Sequence, residues 1–275
     1  MIYNKISIIT PSYNQGEYIE EAIKSVLKQN YSNFEHIIID AGSTDQTLDI
    51  LKKYKHLKWI SEKDDGQSDA LNKGFKKSKG QIIGWLNADD FYEKNIFRLI
   101  NNNLSIEGVD AVYGDFIEVD KYGNRIKKII TQMPSNFMMK YVCYIPSTTF
   151  FFNRKIIDNN IYIDKNLKLV MDKDFFCKII SKGYKINKIH KFLGFFRWHY
   201  KNKSIYSKKF KKRIHYEGII INNRYSNFKL PNNYFGQKIY YLMNRTVILY
   251  RFFCRKTGLG VHYGNKKYKL KDRFI

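Results

Sequence analysis

The chain has 275 residues and carries 49 Lys and Arg against 25 Asp and Glu, a formal net charge of +24. Hydrophobic residues make up 44% of it, enough for a substantial core, which argues against wholesale disorder. Three cysteines, Cys143, Cys177 and Cys254, are too few and too scattered to build a disulfide framework or a zinc site.

The first element is a β-branched run, KISIIT over 5–10, closed by Pro11 and Asn14. Ile19, Ala22, Ile23, Val26 and Leu27 then recur at the spacing of one helix face. HIII over 36–39 predicts a buried strand that ends on Asp40. Asp40 to Asp45 reads as a turn, with Ser43 or Thr44 capping a helix over 45–54. A strand over 57–60, a helix over 67–78 and a strand over 81–86 follow, the last running into Asn87-Ala88-Asp89-Asp90. A helix over 93–104 and a strand over 109–113 complete the regular part. Strand–helix alternation at this spacing predicts an α/β fold with a parallel sheet and right-handed crossovers. Such sheets bind ligands at the carboxyl ends of their strands, where Asp40, Asp64, Asp65 and the 87–90 cluster fall.

From 115 to 150 the pattern is irregular, apart from a hairpin turn at Tyr122-Gly123-Asn124. TTFFF over 148–152 reads as a strand, 172–182 as a short helix and 184–199 as two strands. Two basic helical segments are expected around 205–225 and 234–256. Charge divides the chain: 201–275 has 19 Lys and Arg against 2 acids, net +17, whereas 1–200 nets only +7. A domain over 1–203 with a basic helical extension over 204–275 is therefore expected.

There is no GxGxxG after the first strand and no GxxxxGK[ST], which disfavours dinucleotide and P-loop chemistry. Adjacent carboxylates at Asp89 and Asp90 repel unless a cation sits between them, and oxygen ligands select Mg²⁺ or Mn²⁺. The alternative is that one of them only caps the following helix.

ITPSYNQGEYIEEAIKSVLKQNY, IIIDAGSTDQT, DDGQSDALNKGF and GWLNADD stand in one order with close spacing. Together they resemble the inverting family 2 glycosyltransferases of GT-A fold, of the kind that build bacterial surface polysaccharides. The resemblance covers about 3–200 and implies a mostly parallel, Rossmann-like central sheet flanked by helices. It implies that Pro11 and Tyr13 cradle a nucleotide base, that Asp40 hydrogen-bonds the base, and that Asp65 borders the nucleotide pocket. It places Asp89 near the ribose and a metal, and Asp90 on the metal that bridges a diphosphate. The first position of that motif is Asn87 where the family carries Asp. Asp172, in LVMDKDFFCKI, resembles the late acidic residue that deprotonates the acceptor, with Asp174 as its rival. Phe196-Arg197-Trp198-His199 resembles the end of the catalytic domain, where His199 or Arg197 would touch the diphosphate. Gly194 stands where processive synthases of the QxxRW type carry Gln, which favours transfer of one sugar.

The expected function is single-displacement transfer from a nucleotide-diphosphate sugar, UDP-linked by the resemblance, to a saccharide or lipid-linked saccharide hydroxyl. A sugar nucleotidyltransferase is the nearest alternative, but PSYNQGE is not its Gly-rich basic loop. A nucleic-acid-binding protein is the alternative of another class, suggested by the charge and separable by filter binding at two salt concentrations; no nucleic acid is expected. MIYNKISIITPSYN lacks the basic and apolar regions of a secretory leader, and no run of about 18 apolar residues occurs. A cytoplasmic protein, peripheral on the inner face of the membrane, is expected. Within 239–253, Ile239, Leu242, Met243, Thr246, Val247, Tyr250 and Phe253 recur near helical spacing among arginines. Such a helix either meets an anionic membrane surface or packs on the domain.

Overall fold

A computed structural model describes residues 3–202 and 208–257, with side chains of the last segment described over 212–250. The boundary expected at 203–204 lies outside the described residues. The first half alternates as the apolar runs predict: β1 (Ile6–Ser12), α1 (Ile19–Leu27), β2 (Phe34–Asp40), α2 (Thr47–Lys52), β3 (Leu57–Ser61), α3 (Gln67–Lys77) and β4 (Ile82–Trp85). β2, β1 and β4 are almost wholly buried, so the sheet is covered on both faces. β3, β2, β1 and β4 run parallel, and Ser12 and Asp40 stand side by side at their carboxyl edge. The cap expected for α2 is absent. Gln46 opens that helix, and the Ser43 hydroxyl instead turns back to the Asp40 carboxylate.

The second half departs from a parallel sheet. β5 (Phe91–Tyr92), α4 (Ile96–Leu104), β6 (Ala111–Val119) and β7 (Arg125–Ile129) come first. α5 (Asn136–Met139), β8 (Phe151–Asn153), α6 (Lys155–Asp158), α7 (Met171–Ser181) and β9 (Ile186–Arg197) follow. The sheet order is β3-β2-β1-β4-β8-β6-β9-β5, with β7 hairpinned to β6. β8 pairs antiparallel with both β4 and β6, β7 with β6, and β5 with β9. The hairpin turn sits where Tyr122-Gly123-Asn124 predicts it, with Gly123 at φ 88°. The two strands expected over 184–199 are one continuous strand, β9, which pairs parallel with β6 through shifts of register. TTFFF is half strand, because Ser147–Thr149 winds into a 3₁₀ turn before β8 begins.

α8 (Lys208–Tyr225) and α9 (Tyr234–Thr257) are the two basic helices. They pack onto the domain: Ile219, Ile221, Leu230, Tyr240 and Val247 belong to the same apolar cluster as Phe150, Phe152 and Phe175. No helix among the described residues is long and apolar enough to cross a membrane.

The amino edge of the sheet is closed by one buried carboxylate. Glu35 accepts from the Ser7 hydroxyl at 2.6 Å, the Lys79 amide at 2.7 Å and the Lys58 ammonium at 2.6 Å. The Gly80 amide then donates to Ser7, and a Cβ on Gly80 would lie 2.6 Å from the Lys5 carbonyl. Burial alone would raise the Glu35 pKa, but Lys58, Ser7 and the Lys79 amide outweigh it and bring it down to about 2. A carboxyl depressed in the folded state stabilises the fold above its ordinary pKa of 4.5 and stops doing so as pH falls from there towards 2. Glu35→Gln is expected to cost up to about 3 kcal/mol at pH 7, or roughly 5–10 °C in Tm. The difference from the wild type should shrink between pH 5 and pH 3 in thermal scans. A gap that stays constant over that range would show that the charge is not the stabilising feature.

Candidate functional site

β1, β2 and β4 each deliver a polar loop to one edge of the sheet. Tyr13 leaves β1 with its side chain 58% exposed, whereas Pro11 remains buried in the strand. Asp40 is fully enclosed: its carboxylate accepts from the Gly42 and Ser43 amides and from the Ser43 and Ser61 hydroxyls. It therefore shapes the 41–44 turn and presents no free oxygen to solvent. Asp65 is exposed on the loop before α3, and its carbonyl accepts from Lys168 at 3.0 Å. The Ser12 hydroxyl and the Gln15 side-chain oxygen Oε1 are buried with no partner in the protein.

The acidic pair after β4 splits in two directions. Asp90 turns inward, 1% exposed, and accepts from the Thr148 hydroxyl, the Asn87 amide at 3.2 Å and the Arg197 backbone N–H at 3.0 Å. Burial and the neighbouring Asp89 carboxylate push its pKa up. Asp89 turns outward, about one-fifth exposed, with one oxygen 3.0 Å from His199 Nε2 and 3.3 Å from the Asn202 amide. The His199 ring lies on Tyr18, 4.6 Å between centroids. Asn87 is a junction: its side-chain oxygen accepts from Gln67 at 2.9 Å and from Trp85 at 2.8 Å while its amide serves Asp90.

Arg197, expected against a diphosphate, is committed elsewhere. Its guanidinium bonds the Asp89 carbonyl at 2.9 Å, the Lys121 carbonyl at 3.0 Å and the Glu21 carboxylate, and lies over the Tyr18 and Phe91 rings. It ties β9 to the 89–90 loop, α1 and the β6–β7 hairpin. Thus the structure brings Asp89, partly exposed, against the buried His199 ring. It holds Asp90 and Arg197 behind them.

On α7, three successive side chains point three ways, as a helix rotation of about 100° per residue requires. Asp172 keeps part of its surface in solvent, 3.9 Å from Cys143, with one oxygen accepting from the Lys173 amide at 2.7 Å. Protein still surrounds that carboxyl closely enough for burial to push its pKa up. Lys173 is buried and donates to the Tyr240 hydroxyl at 2.6 Å. Asp174 is fully buried and accepts from Arg224 at 2.7 Å and the Tyr225 hydroxyl at 3.1 Å. The rival residue is thus locked into an ion cluster. Asp172 is tied to the other loops through Met171, whose sulfur contacts Ser68 on the first turn of α3, one residue from Gln67.

Sequence reasoning missed Thr148, Tyr18, Gln67, Asn202 and Cys143. GQSDALNKG pointed at the first turn of α3, but nothing in the spacing singles out Thr148, 58 residues from the carboxylate it bonds.

A family model described as Glycosyl transferase family 2 matches residues 7–164, more than half of the chain. The chain belongs to glycosyl transferase family 2. The UDP-Glc:alpha-D-GlcNAc-diphosphoundecaprenol beta-1,3-glucosyltransferase WfaP of Escherichia coli is 30% identical over 224 residues, 78% of this chain and 85% of that protein. The putative teichuronic acid biosynthesis glycosyltransferase TuaG of Bacillus subtilis is 38% identical over 96 residues, 33% of this chain and 38% of its own. Some relatives are much longer: the chain spans 30% of an uncharacterised glycosyltransferase of Rickettsia conorii and 54% of one from Nostoc. TarS 1–349 of S. aureus with UDP-GlcNAc superposes with TM-score 0.66 at 20% identity, over 98% of this chain and 77% of TarS. The mannosyltransferase PcManGT of Pyrobaculum calidifontis, with GDP-Man and Mn2+, gives TM-score 0.63 at 17% identity, over 96% and 77% of the chains. The mixed sheet with its flanking helices is the GT-A fold of these structures.

The geometry separates the two acids of α7. Asp174→Asn is expected to cost about 2–4 kcal/mol, less than a wholly buried pair because Arg224 is partly exposed and keeps Asp164. Asp172→Asn should stay within about 1 kcal/mol of the wild type, since its carboxyl accepts no side-chain cation. Urea midpoints would read both; equal loss in the two variants would refute this division.

Proposed function

We propose that the chain is an inverting glycosyltransferase that moves one sugar from a nucleotide-diphosphate sugar, UDP-linked, to a hydroxyl of a saccharide or lipid-linked saccharide. The observation that carries the reading is convergence: the family match over 7–164 spans the β1, β2 and β4 loops that bring Tyr13, the turn held by Asp40, and Asp89 to one edge of the sheet. In this reading Tyr13 stacks on the base above Pro11, and the 41–44 turn held by Asp40 borders it, with Asp65 at the rim. The orphaned Ser12 and Gln15 oxygens supply polar partners there. The similarity to WfaP, a glucosyltransferase acting on GlcNAc-diphosphoundecaprenol, and to TuaG of teichuronic acid biosynthesis supports a role in surface-polysaccharide assembly.

The residues present fit a divalent cation. Asp89 offers a carboxylate oxygen on the open side of the loop, and the enclosed His199 a ring nitrogen 3.0 Å from it that a cation would have to part from Asp89; no group of three or more potential ligands occurs among the described residues. Two protein ligands leave most coordination places to phosphate oxygens and water, the habit of Mg²⁺ and Mn²⁺ at phosphate sites, and the imidazole favours Mn²⁺ of the two. Such a cation supplies neutralisation of the charge that develops on a departing diphosphate. Asp90 holds Asp89 in place from behind rather than reaching the cation itself, and Arg197 does the same through the Asp89 carbonyl.

Asp172 acts as the base. It stands at the start of α7, where the helix dipole stabilises its ionised form while burial raises its pKa towards the working range. It accepts the proton of the acceptor hydroxyl as that oxygen attacks the sugar carbon from the face opposite the leaving group. One base suffices for a single displacement, and configuration inverts.

The basic segment 204–275 meets an anionic membrane surface, which keeps the enzyme peripheral on the inner face of the membrane. Transfer is tested with UDP-glucose, GlcNAc-diphosphoundecaprenol and Mn²⁺, with the new linkage read by NMR: an α-linked donor should give a β-linked product. A panel of UDP- and GDP-sugars that yields neither transfer nor nucleotide release would overturn the reading. Asp172→Asn should lower kcat by about three orders of magnitude or more with donor Kd nearly unchanged, because the amide keeps the shape but accepts no proton. In the wild type, kcat should fall on the acid side as Asp172 becomes protonated. Asp89→Asn and His199→Ala should instead weaken Mn²⁺-dependent donor binding, and chelation should do the same. Wild-type donor affinity in those variants would remove the cation from the site.

A further inference from the structure

We infer that one face of α9 seats the protein on an anionic lipid bilayer, directly behind the base. This deepens the membrane reading above by naming the face, and it does not depend on the transfer chemistry.

α9 has two apolar faces. The inner one is used: Tyr240 and Val247 are buried, and Ile239 and Met243 pack against the core. The outer one is open apart from Tyr241, whose ring meets that of His215 on α8 at 5.5 Å. Tyr234, Tyr241 and Ile248 are 71%, 41% and 48% exposed, and Phe235, Leu242 and Leu249 are 65%, 62% and 64% exposed. Each set repeats every seven residues, so the two form one stripe along the helix. Lys238 and Arg245 fill the intervening steps. Their cations lie over tyrosine rings of the same face, Lys238 Nζ 4.7 Å from the Tyr234 centroid and Arg245 Cζ 5.7 Å from that of Tyr241.

An exposed stripe of this size calls for a partner. Charge decides which. Among residues 201–275 the acids are Glu217 and Asp272. Glu217 is buried and bonded to Arg213 and to the amides of Lys168, Leu169 and Val170. The described outer face of α9 thus carries aromatic and aliphatic side chains with cations and no acid. A helix that lies in an anionic interface has that composition, with aromatic rings at headgroup depth and basic groups on the phosphates.

The inner face gives the seat its position. The Tyr240 hydroxyl accepts from Lys173 and donates to the Tyr141 carbonyl at 3.2 Å, and the Asn244 amide donates to the same carbonyl at 3.1 Å. Lys173 follows Asp172, and Cys143, two residues past Tyr141, touches the Asp172 carboxylate. One helix therefore backs the base on one side and offers the stripe on the other, about 10 Å across. An acceptor carried on a lipid would reach the cleft from the plane that α9 lies in.

The test uses the full chain with vesicles of phosphatidylglycerol and phosphatidylethanolamine, and with phosphatidylcholine alone. Co-sedimentation should show at least tenfold tighter binding to the anionic vesicles, weakening with salt. Leu242→Ser/Leu249→Ser and, separately, Lys238→Glu/Arg245→Glu should each lose at least tenfold in that binding, with Tm and UDP-sugar affinity unchanged. Equal partition into both vesicle types, or wild-type binding by both variants, overturns the inference. A dimer in light scattering that Leu242→Ser/Leu249→Ser dissociates would reassign the face to a second copy of the chain. Single-stranded RNA binding lost in both variants would reassign it to nucleic acid. Donor affinity measured on the same samples keeps the two readings apart, since vesicle binding without donor binding sinks the transferase and the reverse sinks the seat.

Discussion

The cleft depends on the burial of Asp90. A carboxyl taken out of water must be hydrogen-bonded on all sides or its burial costs several kcal/mol. The donors that meet it come from three separate stretches: Thr148 from the turn before β8, Asn87 from its own loop, and the Arg197 amide from the end of β9. Satisfying one carboxyl therefore fixes where three segments converge. It also decides the direction of Asp89. Consecutive residues in this loop cannot both face the core, so the inward turn of Asp90 leaves Asp89 at the surface, in reach of His199. Arg197, itself buried, closes the arrangement by taking up the Asp89 carbonyl and Glu21.

A second set of buried charges does the same for the other wall. Asp174 draws Arg224 and Tyr225 from α8, and Arg224 also reaches Asp164. Glu217 accepts three consecutive amides ahead of α7 and holds its entry. Lys173 draws in Tyr240 from α9. The basic helices are thus ion partners of the helix that carries Asp172. Truncating them would strip partners from Asp174 and Lys173, and a charge left buried and unpaired is more damaging than the lost contact.

The parallel half of the fold was legible because its strands are nearly continuous apolar runs and its helices have clean periodicity; β1 to β4 fall within two or three residues of expectation. The second half was less so, for identifiable reasons. The run TTFFF has strand propensity throughout, but Thr148 and Thr149 turn their hydroxyls to Asp90 and Gly114, and the backbone coils to allow it. Two strands were expected over 184–199, yet β9 runs unbroken through Gly194, where a Cβ would lie 3.1 Å from the Phe91 carbonyl. The short link between β6 and β7 permits antiparallel pairing only, whereas the antiparallel pairing of β8 with β4 and β6 is a long-range arrangement that local periodicity does not reveal. At the site, the acids after β4 were visible as a strand-end cluster, but which of them faces outward was not. That follows from Thr148, Arg197 and His199, up to 110 residues away.

The same burial explains Asn87, the departure from the family pattern. Its side-chain oxygen accepts from Gln67 and Trp85 while its amide donates to Asp90. A carboxylate at 87 could keep the first two bonds but would remove the amide donor to Asp90 and add a third acid where burial and Asp89 already disfavour ionisation. An amide is the side chain of that size with both an acceptor and a donor. The consequence reaches the chemistry proposed for the site. With position 87 neutral and Asp90 turned inward, the proposed site would hold a cation through Asp89 and His199 alone, and two ligands bind one weakly. The remaining places fall to the diphosphate of the donor. Cation and donor would then each raise the other's affinity by the same factor, as reciprocal linkage requires. In the proposed site, the neutral residue at 87 would thereby make assembly depend on the substrate.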